Sequence, residues 1–447
     1  MPILHTYLIM KFYDREKEVT QLQNIEQASH ETARFTVVSG RRRVGKTTLI
    51  REAYKNIPML YFFVGRKAET ELCRTFSKIA EETLGLPFGN YEHFGELFRA
   101  ILIISRKQHI TLVIDEFQEF YRVNPSVYSD MQNYWDEYHN ESKINLVVCG
   151  SVNSLLNKIF RNKKEPLFSR QTDMLKVRPF PPSVLKKIIS DLNPQFDNED
   201  LLSLYLISGG VAKYVQFLSR RQLNHTNMFD MVFEDESMFL TEGKTMLIEE
   251  FGKDYGKYFS ILSLIAQGHN NRGEIEDILH FEVGGYLTKL IDDYEIVVKR
   301  QPLFEKSANK NVRYAIEDKF LRFWFRYIHK YDYIIEAGAT QKLKQIVLND
   351  YNTYSGQILE DYFRDAIKES GEYTRIGYWH DRKGANEIDI IAEDALAEKL
   401  DIIEAKRLEN NIDYSVLRSK SDIFLRSIKH DYSQYNIQFK GLSLTDL

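Results

Sequence analysis

Residues Gly40–Thr47 read Gly-Arg-Arg-Arg-Val-Gly-Lys-Thr, the spacing G-x-x-x-x-G-K-[ST], and no other stretch of the chain restricts its fold so tightly. An apolar run, Phe35–Val38, precedes it and a helix-like run, Leu49–Lys55, follows, so the chain is expected to pass from a buried strand through a sharp turn into a helix. In such a turn successive N–H groups and the helix N-terminus can surround phosphate oxygens. The expected binding stretch is Gly40, Arg41, Arg42, Arg43, Val44, Gly45, Lys46, Thr47 and Thr48. Lys46 is expected to reach the β- and γ-phosphates of a nucleoside triphosphate as a point charge, and the Thr47 hydroxyl to ligate Mg2+. A chance glycine-rich turn ahead of a lysine would lack the strand and helix on its flanks.

The chain has 447 residues, more than one ordinary core accommodates, and about three domains are expected from length. Hydrophobic residues make up 43%, yet no apolar run reaches the roughly eighteen residues that span a bilayer. The patch Ile3–Met10, interrupted by His5 and Thr6, has no small-residue cleavage site, and no membrane anchor is expected. Cys73 and Cys149 are too few for a disulfide framework or a cysteine metal cluster, and a reducing cytoplasm fits. The net charge of −4 gives no overall cationic field, so any contact with DNA has to rest on a local patch.

Further apolar runs follow at Met59–Val64, Ile110–Ile114, Ile144–Cys149 and Met174–Phe180. They are continuous rather than alternating, which predicts a parallel α/β sheet with helices on both faces. This core is assigned to residues 1–182. Residues 183–250 read as helices broken by Asn193-Pro194 and Gly209-Gly210, a helical lid. Residues 251–318 carry short helices at Tyr258–Ala266, Glu274–Leu279 and Gly285–Asp293 and then a hairpin strand at Ile296–Lys299, an order that resembles a winged helix. Its third helix sets one Lys289 against Asp292 and Asp293, which favours a packing or partner-binding module over a reader of the DNA major groove. The aromatic stretch Phe320–Tyr333 has helical spacing and is expected to pack in a core or a domain interface rather than stack on bases. Residues 319–447 form the last section, an α/β domain.

The run Thr111–Glu116 ends a buried strand with two carboxylates, at the sheet edge where parallel α/β folds hold ligands. Asp115 is expected to hold the Mg2+ shell and Glu116 to orient and deprotonate the attacking water. The next strand ends Cys149-Gly150-Ser151, putting Ser151 or Asn153 near the γ-phosphate if the two strands are neighbours, with Ser151 the expected sensor. Arg170 is read either as a cation for transition-state charge, in cis or in a neighbouring subunit, or as a surface arginine. A nucleotide kinase fits less well, because Glu116 has no use in phosphorylating a small acceptor.

Together these residues resemble the archaeal-type ATPases of the AAA+/STAND branch of P-loop NTPases. The resemblance runs through Phe12-Tyr13-Asp14-Arg15-Glu16-Lys17-Glu18, Gly40–Thr48, Ile114-Asp115-Glu116, Cys149-Gly150-Ser151, Arg170 and Gly209-Gly210-Val211-Ala212-Lys213-Tyr214, and so spans nearly the whole chain. It implies that the opening segment packs near adenine, making ATP the nucleotide. Ala212 departs from the proline usual after the double glycine.

A second candidate site follows from numbering alone. If Asn386–Ile391 and Leu400–Lys406 pair as a hairpin centred between Leu396 and Ala397, Asp389 lies opposite Glu404, and Glu404 shares a face with Lys406. Facing carboxylates repel unless a divalent cation sits between them, and a nearby lysine can activate its water. The pattern is similar to restriction-endonuclease-like nucleases of the PD-(D/E)XK type. That resemblance implies metal binding by Asp389 and Glu404, and it adds Glu360, on a helix after Gly356, as a further acid. The expected function is an ATPase whose nucleotide state controls a Mg2+-dependent nuclease or DNA-binding domain, with DNA as partner and a homo-oligomer as an open option. The alternative is a STAND-type signalling switch with an inactive C-terminal domain.

Overall fold

The computed structural model describes residues 11–304, 312–381, 384–428 and 430–447; the patch Ile3–Met10 and the side chains of Asn153 and Lys253 lie outside the described residues. Two compact units divide the described residues, Asp14–Arg178 and a second made of Pro179–Leu447 with residues 11–13.

The first unit is a five-stranded parallel sheet of β1 (Arg34–Ser39), β2 (Met59–Phe63), β3 (Ile110–Asp115), β4 (Ile144–Cys149) and β5 (Asp173–Lys176), in the order β2-β3-β4-β1-β5. Its apolar runs are continuous because both faces are covered. Val37, Ile114 and Val148 pack with the helices Glu69–Leu84, Phe94–Ser105 and Ser126–Tyr138. Their neighbours Val38, Val113 and Val147 point the other way, onto α1 (Glu16–Ala28) and α2 (Lys46–Ala53). The last strand stops at Lys176, short of the expected Phe180, and the prolines at 179, 181 and 182 explain the end, since none can donate to a ladder.

In the second unit a run of helices from Pro182 to Phe251 leads into helices Tyr255–Ala266, Arg272–Leu279 and Gly284–Asp292 and the antiparallel pair β6 (Val297–Arg300) and β7 (Arg313–Ile316). The aromatic stretch buries Phe320, Phe323, Trp324, Phe325 and Tyr327, as its spacing predicts, while Tyr333 is exposed. The expected boundaries at 250 and 318 do not interrupt the packing. Phe239, Phe259, Phe320 and Tyr354 share one hydrophobic core, and the rings of Phe239 and Phe320 are 5.9 Å apart.

A long helix, Thr340–Ser370, then precedes β8 (Arg375–His380), β9 (Glu387–Asp394), β10 (Lys399–Lys406), the helix Tyr414–Ser427 and β11 (Asn436–Ser443). The sheet order is β11-β10-β9-β8, with β11 parallel to β10 and the other pairs antiparallel. Ile390 and Ile403 join the helical core on one face, while Ile391 and Ile402 pack with Leu417 and Phe424 on the other. No helix among the described residues is long and apolar enough to cross a membrane.

Candidate active sites

β1 ends at Ser39 and the chain turns at Gly40, where φ is +143° and an added Cβ would lie 2.4 Å from the Val177 carbonyl oxygen. Main chain meets main chain there, so any side chain displaces the turn. Gly40→Ala is therefore expected to lower Tm and nucleotide affinity together, which thermal melts with and without Mg-ATP would read. Gly45, at φ +97°, starts α2, a conformation that costs a glycine little. Val44 is buried beneath the turn, Arg41, Arg42 and Arg43 are partly exposed and Thr48 is exposed. The buried Lys46 donates from Nζ to the carbonyls of Gly40 at 2.7 Å and Arg41 at 3.0 Å, so its ammonium sits within the loop that precedes it.

Asp115, at the end of β3, collects this site. Its Oδ2 accepts from Thr47 Oγ1 at 2.9 Å and from the Tyr61 hydroxyl on β2. Its Oδ1 accepts from the Glu116 N–H at 2.9 Å and from Cys149 Sγ at 3.0 Å. Burial, and then the neighbouring Asp115, push the Cys149 thiol well above its usual pKa, so it remains a neutral donor. Burial and the same carboxylate raise the Tyr61 hydroxyl too.

Glu116 leaves the strand in a left-handed conformation, φ +54°, which a non-glycine residue adopts at a cost of about 1–3 kcal/mol. Its Oε2 accepts from Ser151 Oγ at 2.8 Å and from Gln118 Nε2. Ser151 thus touches the acid expected to handle water, because β4 is the neighbour of β3. Tyr61 and Gln118 were not singled out from the sequence. Tyr61 stands in an apolar run with nothing to mark it, whereas Gln118, two residues past the acidic pair, was within reach of a closer reading.

Arg170 is not part of this cluster. It lies ahead of β5, whose partner residues on β1 begin at Thr36, and Thr172 is bonded to Phe35 at the start of β1. That is the amino edge of the sheet, about 17 Å along β1 from the phosphate loop at strand rise. Its guanidinium grips Asp136 at 3.2 and 3.0 Å and the Phe168 carbonyl at 3.0 Å. Of the roles read for Arg170, a cation in cis, a cation in a neighbouring subunit or a surface arginine, this placement sets it away from its own phosphate loop, because a parallel strand carries its two ends to opposite edges.

Residues 12–218 match the family model described as an ATPase domain predominantly from Archaea. They form an ATPase domain of that family. Residues 324–416 match a family of archaeal and bacterial proteins of unknown function. An uncharacterized protein of Methanocaldococcus jannaschii is 28% identical over 405 residues, 88% of this chain and 87% of that protein. The fold is also similar to that of a Walker-type ATPase of Pyrococcus abyssi, at 18% identity and TM-score 0.54, over 70% of this chain and 96% of that one. In the ATPase domain the residues fit a nucleoside triphosphate: a turn with no room for a Cβ at Gly40, one buried ammonium, and a hydroxyl and a carboxylate already in contact. Arg15, of the opening segment, is buried and donates to the Arg178 carbonyl.

The second candidate site lies in the other unit. The pairs Lys399↔Asp394 to Ile403↔Ile390 follow the register expected from numbering, and the same register carries Asp389 against Glu404. Asp389 Oδ2 accepts from the Ala405 N–H and from Lys406 Nζ, both at 3.0 Å. Lys406 Nζ also lies 3.3 Å from Glu404 Oε1, which Lys420 contacts at 3.3 Å. Burial lowers the Lys406 pKa, but Asp389 and Glu404 outweigh it and the net shift is upward. Glu360 belongs to the same electrostatic cluster: burial first, then Asp389 and Asp361, push its carboxyl up to about 8, so it is protonated at neutral pH. Glu404 Oε2 is buried and has no hydrogen-bond partner, a lone pair that a cation would satisfy. Glu360, Asp389 and Glu404 are nevertheless not drawn within 4.8 Å of one another.

Proposed function

We propose that the ATPase domain hydrolyses ATP with Mg2+ and that its nucleotide state controls a divalent-metal-dependent DNA nuclease built on the C-terminal sheet. The observation that carries the second half is the pairing of Asp389 with Glu404 and Lys406 within a helix, three antiparallel strands, a helix and a parallel strand. The PD-(D/E)XK nucleases that the sequence resembles bear their acids on such a core, and the three helices with the β6–β7 hairpin support a winged-helix connector.

In the ATPase domain the loop amides and Lys46 neutralise phosphate charge, and Thr47 with Asp115 would hold the Mg2+, which draws charge from the phosphate oxygens when bound. Glu116 accepts the proton of the attacking water, with Ser151 and Gln118 fixing its carboxylate. At the second site Asp389 and Glu404 would hold the metal, whose bound water is made more acidic. Lys406 then offers its ammonium to a phosphate oxygen, and Glu360 lies in the same electrostatic cluster as Asp389.

One observation favours the STAND-type reading: Lys406 bridges the two acids directly, as it would in a binding domain that does not cut. A panel of single-stranded, duplex and branched DNA, with and without ATP and Mg2+, separates the two. Under the nuclease reading cutting occurs, Asp389→Ala removes it and Lys46→Ala changes its ATP dependence. Absence of cutting on every substrate overturns that reading and leaves the ATPase assignment intact.

A further inference from the structure

Outside both sites, the first unit gathers Glu26, in the last turn of α1, and His30, just past it, against His109, the residue before β3. Glu26 Oε1 lies 3.2 Å from His30 Nε2 and 3.8 Å from His109 Nδ1. Among the described residues this is the only set of three such side chains whose ligand atoms all fall within 4.8 Å of one another. The two imidazoles stack, with centroids 3.6 Å apart and planes at 13°.

A hydrogen-bond chain fixes where the ring hydrogen of His109 resides. Ser29 Oγ donates its single hydrogen to the Glu26 carbonyl oxygen, which can only accept. His109 Nε2, 2.7 Å from the same Oγ, must then be the donor. In the neutral ring this leaves Nδ1 with a lone pair facing the Glu26 carboxylate, an acceptor against an acceptor. A histidine anchored through one nitrogen, with the other aimed at a carboxylate, is how ligands to a metal are oriented.

We propose that Glu26 Oε1, His30 Nε2 and His109 Nδ1 bind a divalent transition-metal ion of the Zn2+ class. Two imidazoles and a carboxylate suit Zn2+ or Co2+, with a fourth position for water, whereas Mg2+ prefers oxygen ligands alone. The side chains of Glu26 and His109 are 12% and 14% exposed and fix the site; His30, 54% exposed, tilts off the stack to close it. The ion pins the end of α1 to the entry of β3, at the opposite end of that strand from Asp115, so it is a staple of the fold and takes no part in ATP turnover.

The test uses the full chain with Co2+ as a spectroscopic probe and Zn2+ in thermal melts. Visible Co2+ absorption bands and a Zn2+-dependent rise in Tm are expected in the wild type, with both lost in His109→Ala. Ser29→Ala keeps all three ligands and is expected to weaken affinity roughly 10- to 100-fold. If His109→Ala does not fold, His30→Ala, at an exposed position, carries the same comparison. The proposal is overturned if saturating Co2+ gives no bands in the wild type, or if bands and Tm rise survive the histidine substitution unchanged.

Discussion

Lys46→Ala will abolish measurable ATP turnover and weaken nucleotide binding, whereas Glu116→Gln will keep the binding and lose the turnover. Lys46 is the one buried ammonium of the phosphate loop, held by the Gly40 and Arg41 carbonyls. Removing such a charge at a phosphoryl site costs on the order of 100-fold or more. Glu116 touches no loop residue through its side chain in the bonds described; Ser151 and Gln118 hold it as an acceptor. Glutamine keeps that shape and cannot take a proton, so a loss of about 100- to 10,000-fold is expected. Calorimetry with ATP and a phosphate-release assay read the two effects apart. Turnover by Glu116→Gln within about tenfold of wild type would remove Glu116 from the mechanism.

The largest effect on stability is expected at Asp361, beside Glu360 on the long helix. This carboxylate is buried and accepts from Arg300 at 2.9 Å on β6, from Arg364 at 2.6 Å one turn along the helix, and from Arg322. Asp361→Ala leaves three guanidiniums without their shared anion, and breaking a buried ion pair from one side costs about 3–5 kcal/mol. The pH dependence follows from the sign of the shift. Burial raises the Asp361 pKa, but Arg322, Arg300 and Arg364 together outweigh it and hold it well below the usual range. Its stabilisation is therefore complete above the unfolded carboxylate value of about 3.9 and fades as pH falls below that toward the folded one. The Tm gap between wild type and Asp361→Ala should be constant near neutrality and narrow in acid. A gap that widens in acid would mean that the arginines are held by other groups.

What could be read from the sequence was whatever a local geometric rule fixes. Gly40 and Gly45 announce a turn because the backbone there takes positive φ, and at Gly40 it also leaves no space for a side chain. The Asp389–Glu404 pairing follows from chain numbering because a hairpin has one centre. Val37 and Val38 are both buried, on opposite faces of the sheet, which is why a run without polar alternation still makes a strand. Contacts between strands distant in sequence were illegible: nothing in Met59–Phe63 marks Tyr61 as a partner of Asp115, and Cys149 reads as a small hydrophobe although its thiol serves the same carboxylate. Arg170 is different, since its position just ahead of a parallel strand already sends it to the edge away from the phosphate loop. His109 escaped notice because its companions lie some eighty residues earlier.

Arg407, next after Lys406, reaches back to Glu199 at 2.5 and 3.2 Å and to Ser355 at 2.6 Å. The ATPase sheet, by contrast, closes within one uninterrupted stretch of chain. During synthesis, then, the nucleotide-binding unit can settle as soon as it emerges, while the helices after Pro182 must wait more than two hundred residues for Arg407 and longer still for Leu447, whose carbonyl accepts from Lys186. A ribosome stalled between these points would carry a finished nucleotide-binding unit and an unsealed remainder.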